Sequence, residues 1–152
     1  MKQESLQSKK VAKIDLLLDV IANSPQNHLF PHASDVDIVD LEKKLGKKLP
    51  NSFKKFLKVT DGATLYQTEE VLGIKDDEED MKEGIFTIKE DLSEYPDNLI
   101  PFYYSNEMNF FDANEMHDGE YKIVRWNKRQ NKPEVIANSF TDWLHNIVRD
   151  NE

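Results

Sequence analysis

The sequence predicts an α+β protein, in which N-terminal helices precede a mostly antiparallel meander of strands and a C-terminal helix closes the chain. Three observations lead to this prediction. Apolar residues recur at helical spacing between residues 9 and 62, segments rich in aromatic and β-branched residues follow between 99 and 137, and helical spacing returns after Ser139. With 152 residues, the chain is expected to form one domain over residues 1–152.

The first helix is expected from about Lys9 to Asn23. Its apolar face comprises Val11, Ile14, Leu17, Leu18 and Ile21. Ser24-Pro25 ends this helix, because proline cannot continue a helical hydrogen-bond pattern.

Residues 35–62 are expected to form two short helices that meet at Pro50, since proline is tolerated where a helix begins. Ser34 is suited to cap the first helix, and Asp37 three residues later completes a weak capping box. Asp61-Gly62 ends the second helix, because glycine accepts the left-handed conformation there. Helical spacing predicts these core residues: Ile38, Leu41, Leu45, Leu49, Phe53, Phe56 and Leu57.

After residue 62 the pattern becomes extended. A short hairpin is expected from Ala63–Tyr66 and Glu69–Gly73, followed by a weak strand at Ile85–Ile88 and a helical turn at Lys89–Glu94. Further strands are expected at Leu99–Ser105, Met108–Asn114, Tyr121–Asn127 and Glu134–Ala137, with turns at 105–107, 114–119 and 128–133.

The last helix is expected to begin at Ser139, a good N-cap, and to run to Asp150. Its apolar stripe comprises Phe140, Trp143, Leu144, Ile147 and Val148. Arg149 lies in the last turn, where the helix dipole favours a cation.

Composition excludes several classes of function. The chain has no cysteine, which removes disulfides, thiolate nucleophiles and cysteine-bound metals and fits a reducing cytosol. The N-terminus lacks a hydrophobic signal region, and no apolar run reaches the length of a membrane span, so we expect a cytoplasmic protein with no membrane partner. A formal net charge of −9 argues against nonspecific nucleic-acid binding as the main role.

The negative charge is concentrated between Glu69 and Glu94, where eleven carboxylates face three lysines. Two interpretations remain open: the acids keep a small protein soluble, or they steer a basic partner to one side of the molecule. In the second case the candidate partner-binding residues are Glu69, Glu70, Asp76, Asp77, Glu78, Glu79, Asp80 and Glu83, with Glu107, Asp112 and Glu115 as a second acidic cluster.

The sequence does not predict a metal site or a cofactor. A calcium-binding EF-hand loop that began at Asp76 would need glycine at its sixth position and glutamate at its twelfth, which Met81 and Thr87 occupy. His28 and His32 are four residues apart, but Pro31 places them in a loop and no third ligand is close in sequence.

Catalysis is not predicted either. His117 falls in an expected turn and His145 on the polar side of the last helix, and neither lies in a catalytic motif. Asp112 could converge with Glu107 or Glu115 as a carboxylate pair, but a solvated strand end explains these acids equally well.

Four aromatic residues cannot all face one core if their strands alternate: Phe102, Tyr104, Phe110 and Trp126. One alternative is a partly open aromatic face suited to a partner. The preferred alternative is that both faces of the sheet are covered, or that these residues lie at its edges.

Ile38–Gly62 carries the pattern I-x-x-L-E-x-x-L-G-x-x-L-P-x-x-F-x-x-F-L-x-x-x-D-G, which resembles the opening helix pair of the SUKH superfamily, or Smi/Knr-like domain. The resemblance continues in Leu99–Phe102, Asn109–Asp112 and Ser139–Leu144, so it covers about residues 35–148. Within the superfamily the chain looks most like the YobK-type immunity proteins of Gram-positive bacteria. It departs from the family pattern at Ser105–Met108, where many members have a glycine-rich turn, and in the acidic run after Lys75.

This resemblance implies an immunity protein, or antitoxin, without catalytic activity. Such a protein binds the C-terminal toxic domain of a cognate secreted toxin, for example a nuclease such as an RNase, and neutralises it by stoichiometric occlusion. A monomer is expected. The alternative implied by other members is a regulatory or scaffolding module that binds a host protein.

Overall fold

The computed structural model describes residues 2–152 and, within them, side chains from residue 13 onward. The elements in chain order are α1 (Lys2–Asn23), β1 (His28–Leu29), α2 (Asp35–Leu45), α3 (Asn51–Leu57), β2 (Ala63–Leu65), β3 (Glu69–Val71), α4 (Ile85–Asp91), β4 (Leu99–Tyr104), β5 (Met108–His117), β6 (Glu120–Asn127), β7 (Lys132–Ala137) and α5 (Phe140–Asn151). This order of helices, strands and a closing helix confirms the predicted α+β class.

The strands form one seven-stranded sheet in the order β1-β2-β3-β4-β5-β6-β7. Every neighbouring pair is antiparallel, so the sheet is a complete meander. Strand pairing is most extensive from β4 to β7, while β1 at one edge contributes two residues.

Helix α1 begins earlier than predicted, at Lys2 rather than about Lys9. The predicted apolar face is buried at Ile14, Leu17, Leu18 and Ile21. The side chain of Val11 lies outside the described residues.

The helix pair forms as the sequence predicts, and a residue of strand β6 supplies an additional cap to its second helix. The Ser34 hydroxyl accepts a hydrogen bond from the Asp37 N–H, and the Asp37 carboxylate accepts one from the Ser34 N–H, which completes the capping box. Pro50 occupies the N-cap of α3 and has no side chain that can accept a hydrogen bond. Glu120 of β6 replaces the cap, since its carboxylate accepts hydrogen bonds from the backbone N–H of Ser52 at 2.8 Å and from the Ser52 hydroxyl at 2.6 Å.

The main core lies between the helices and one face of the sheet. Its centre is a cluster of fully buried aromatic rings: Phe53, Phe56, Phe102, Phe111 and Phe140. Trp143 packs against this cluster, and its indole N–H donates a 2.9 Å hydrogen bond to the buried Asn109 side chain. Every residue predicted for the core of the helix pair is buried, as are Trp143 and Leu144.

A second, smaller core covers the other face of the sheet. Leu99, Phe110 and Val124 are buried there, and Tyr95 packs its ring against Phe110 and Trp126 at centroid distances of 5.3 and 5.2 Å. The four aromatic residues of the strands are therefore covered to different extents. Phe102 and Phe110 are buried on opposite faces, and Trp126 is half-buried, whereas Tyr104 is 53% exposed.

The structure also corrects the predictions for residues 85–88 and 114–119, and β7 begins at Lys132, inside the turn predicted at 128–133. Ile85–Ile88 is part of helix α4 and not a strand, because Ile85 inserts into the main core and an acidic side chain caps the helix from the preceding loop. The predicted turn at 114–119 is shorter than expected, because β5 continues to His117 and the chain reverses at Asp118-Gly119. Both turn residues have positive φ, 52° and 78°, as a two-residue hairpin loop requires.

Candidate protein-interaction site

The acidic run folds into a small hairpin, which begins beside α2, where Lys75 forms an ion pair with Asp37 at 3.6 Å. Asp77 and Lys82 pair in antiparallel fashion through backbone hydrogen bonds of 2.7 and 2.8 Å. The Asp77 carboxylate accepts hydrogen bonds from the N–H groups of Glu79 and Asp80, which stabilises the tip. We call residues 77–82 the acidic hairpin.

A buried aspartate fixes the base of the acidic hairpin. The Asp61 carboxylate accepts hydrogen bonds from the N–H groups of Ile74 at 2.6 Å and Lys75 at 3.2 Å. It also forms a 3.4 Å ion pair with the Nζ of Lys82, which lies over the Phe30 ring at 4.6 Å from the centroid. Both side chains of the ion pair are largely buried, so this contact fixes the position of the hairpin relative to the end of α3.

The fit around Asp61 is tight. A Cβ on Gly73 would collide with the Asp61 backbone and side chain, and one on Gly84 would collide with the Ile74 carbonyl. Glycine at these two positions therefore lets the loop pass directly over Asp61.

Asp76 has a structural role as well as a charge. Its carboxylate accepts hydrogen bonds from the Gly84 N–H at 2.7 Å and from the Thr87 hydroxyl at 2.9 Å. These contacts cap α4 where Gly84, the N-cap residue, has no side chain. Asp76 and Asp77 thus build the loop that presents the other acids.

The remaining acids of the first group differ in availability. Glu78, Glu79, Asp80 and Glu83 are exposed. Glu69 is half-buried and accepts a 3.1 Å hydrogen bond from the Tyr103 hydroxyl. Burial, together with the charge of Glu69, raises the pKa of Tyr103 to about 12.

A groove of about 330 Å³ separates the acidic hairpin from the outer face of the sheet. The register aligns one residue from each of four strands across its floor: Thr64, Glu70, Tyr104 and Met108. Leu72, Ile88 and Leu92 contribute apolar surface, while Asp80 and Met81 of the acidic hairpin, with Glu83 directly after it, line the other side. The structure thus brings Glu70 together with the acidic hairpin, as part of one surface.

The second acidic group is not brought together. Glu107 precedes β5 and pairs with Arg125 at 3.6 Å, whereas Glu115 lies near the other end of β5 and contacts His117 at 3.3 Å. Eight residues of strand correspond to roughly 26 Å. Asp112 lies between them and accepts hydrogen bonds from Asn98 and from the Asn114 N–H. No pair of these carboxylates converges as acid–base chemistry would need.

Sequence reasoning missed Asp61 and Lys82. Asp61-Gly62 was interpretable only as a helix end, and Lys82 as one of three lysines in an acidic segment. The one available signal was Asp61 itself, because glycine alone is enough to end a helix and the aspartate before it suggests a further role.

The described residues contain no group of three or more histidine, aspartate or glutamate side chains placed to hold a metal ion. His28 lies on edge strand β1 with its ring edge-on to Phe30, and His32 lies in the following loop. Within the same residues, no helix is both long and apolar enough to cross a bilayer.

The SMI1 / KNR4 family (SUKH-1) model matches residues 32–146. Since this match covers about three quarters of the sequence, the chain belongs to the SMI1 / KNR4 family (SUKH-1). The superfamily predicted from Ile38–Gly62 is confirmed, although the match does not single out the YobK-type members. Family membership is consistent with an immunity protein that binds a protein partner, in a family that is generally non-enzymatic.

Proposed function

We propose that this protein is a cytoplasmic, monomeric immunity protein that binds the C-terminal toxic domain of a cognate secreted toxin, a nuclease, and blocks it by stoichiometric occlusion. Two findings support the proposal. The chain belongs to a family that includes immunity proteins. Its exposed acids are presented on a hairpin whose base is fixed by the buried Asp61–Lys82 ion pair.

The fixed acidic hairpin is the observation that carries the mechanism. A nuclease must attract a polyanion, so its active cleft is basic. An acidic surface held in one position matches such a cleft and accelerates encounter through electrostatic steering. In this mechanism the protein performs no chemistry and needs no cofactor; it excludes nucleic acid from the cleft.

Co-expression with the toxic domain encoded beside this gene tests the proposal. Wild-type protein is expected to protect cells and to form a one-to-one complex with that domain. If no toxic domain from the same locus binds, the immunity function is refuted, and binding of a host regulatory protein instead would favour a scaffolding module.

Charge reversal tests the role of the acidic hairpin. Glu78→Lys with Glu79→Lys is expected to slow association by tenfold or more at low ionic strength, with a smaller effect at high salt. Asp76 and Asp77 are unsuitable for this purpose, because their carboxylates hold the loop together.

Asp19→Lys with Asp150→Lys is the matched control, since these two exposed acids lie on α1 and α5, the helices that cover the other face of the sheet. It changes the net charge by the same amount and should have a much smaller effect. Equal slowing by both pairs would show that only net charge matters and would refute a specific role for the hairpin.

A further inference from the structure

The groove beside the acidic hairpin combines exposed apolar side chains with a defined floor. Tyr104 is paired across strands with Glu70 on one side and Met108 on the other, so all three side chains project from the same face. Tyr104 is 53% exposed although the rest of β4 is buried. Tyrosine and methionine are enriched at protein interfaces, which makes this row unusual for a surface that only meets water.

Met81 forms the opposite wall. It is 91% exposed at the tip of the acidic hairpin and has a φ of 52°, a left-handed conformation that is uncommon for a residue with a side chain. An unbranched thioether side chain can adapt its shape to an apolar partner. Met81 and Tyr104 line the same groove, so two exposed apolar residues from different parts of the chain face one space.

The rim of the groove is negatively charged and unneutralised. Glu70, Asp80, Glu83 and Asp91 line it, and none of their carboxylates forms an ion pair or hydrogen bond with another described residue. The lysine in the lining, Lys82, already contacts Asp61 and the Phe30 ring. The groove therefore offers four carboxylates to an incoming group.

The dimensions and chemistry together define the occupant. A volume of about 330 Å³ lies at the low end of the range for ligand-binding clefts and suits one or two inserted side chains. The apolar floor favours an aliphatic or aromatic group, and the rim favours cations on either side of it. A polyanion would be repelled.

We propose that this groove binds a cationic segment of the partner protein, in which one apolar side chain inserts between Met81 and Tyr104 while flanking lysine or arginine side chains pair with the rim. The inference rests on the proposed function, because it identifies the part of the toxic domain that this surface recognises. The inserted apolar side chain would supply a specific short-range contact, in addition to the long-range electrostatic attraction of the acidic hairpin.

Random peptides displayed on phage and selected on the purified protein test the groove without any toxin. Enriched peptides are expected to carry an apolar residue flanked by at least two lysine or arginine residues. Enrichment of peptides without basic residues, or no enrichment relative to protein carrying Met81→Asn, would overturn the inference.

Methionine methyl NMR then locates the site with an internal control. On titration of a selected synthetic peptide, the methyl signals of Met81 and Met108 should shift, because both residues line the groove. Met116 lies near the far end of β5 and should not shift. A shift of Met116 with Met81 and Met108 unchanged would place binding elsewhere and refute the inference.

The toxic domain provides the decisive comparison. Tyr104→Ala and Met81→Asn are each expected to weaken its binding at least tenfold, whereas Val135→Ala, a 52% exposed residue on β7, should remain within twofold of wild type. Met81→Asn removes the apolar side chain without changing the charge of the rim, and asparagine tolerates the positive φ at this position. Because Met81 is almost fully exposed, this variant is expected to fold even if Tyr104→Ala does not.

The outcomes separate the two proposals. Wild-type affinity in both groove variants would refute the groove while leaving the immunity function intact. If the wild-type protein does not bind the toxic domain, the immunity function fails, and the peptide selection alone then decides whether the groove recognises cationic segments.

Discussion

The Nζ of Lys82 lies 3.4 Å from the Asp61 carboxylate, and this contact joins the end of the helix pair to a hairpin 21 residues later in the chain. Asp61 also accepts two backbone hydrogen bonds from residues 74 and 75. One buried carboxylate therefore holds both the start and the end of the loop that carries the exposed acids.

Asp61→Asn should destabilise the protein by roughly 3 kcal/mol, because it leaves the charge of Lys82 largely buried without its partner. Urea unfolding measures the loss. Adding Lys82→Met to Asp61→Asn removes the unpaired cation, so the double variant should recover part of the stability. A loss below about 1 kcal/mol for Asp61→Asn would contradict a structural role for this ion pair.

Phe56→Ala should lower the free energy of unfolding by about 3–5 kcal/mol, because it removes a fully buried ring that packs against Phe53 and Phe140. Val36→Ala is the control in the same helix pair, since Val36 is 67% exposed and should change stability by less than about 0.5 kcal/mol. Similar losses in the two variants would disprove the core assignment.

Stability at alkaline pH should depend on Tyr103. Its folded-state pKa of about 12 exceeds the ordinary value of 10.0, so the folded protein retains this proton more strongly than the unfolded chain. The stabilisation is fully present below pH 10 and is lost as the pH rises towards 12. Tyr103→Phe should therefore flatten this part of the stability–pH curve, as measured by urea unfolding at several pH values, and an unchanged slope would contradict the assignment.

Asp37 should have the opposite pH dependence. Hydrogen bonds from the Ser34 backbone and hydroxyl, with a smaller contribution from Lys75, hold the pKa of Asp37 below its usual value of 3.8. The capping box is therefore fully stabilising above pH 3.8 and is lost as the pH falls through the lower folded-state pKa. Asp37→Asn should reduce the acid sensitivity of unfolding.

Ser34→Ala tests the same capping box at neutral pH. It should reduce stability by about 1 kcal/mol, because the Asp37 N–H loses its acceptor at the start of α2. Thermal unfolding of this variant and of Asp37→Asn gives the two measurements. If neither substitution changes the midpoint at any pH, the capping box does not stabilise the helix.

The spacing of apolar residues was sufficient to predict the helices that have long apolar stripes. Phe53 and Phe56 were predicted as core because their spacing depends only on helix geometry. Ile85–Ile88 was assigned wrongly, since a short apolar run fits a strand or a helix equally well. The helix is favoured by the Asp76 cap and by insertion of Ile85 into the core, and both are tertiary contacts.

The candidate site depends on contacts that sequence spacing does not encode. The row formed by Glu70, Tyr104 and Met108 exists only because of the register between three strands. The cap that Glu120 supplies to α3 likewise joins residues 68 positions apart. Composition revealed the acidic segment, but the groove beside it could be recognised only from the folded structure, because its lining comes from several strands and loops.

The consecutive order of the seven strands has a consequence for how a newly synthesised chain folds. Each strand pairs with the one made just before it, so the sheet can form progressively as the chain leaves the ribosome. Helix α1 is different, because Lys13 meets Asp142 of α5 across 129 residues of sequence. Helix α1 can meet α3 early, through Asp15 and Lys55, but its packing is expected to be complete only after α5 has been synthesised.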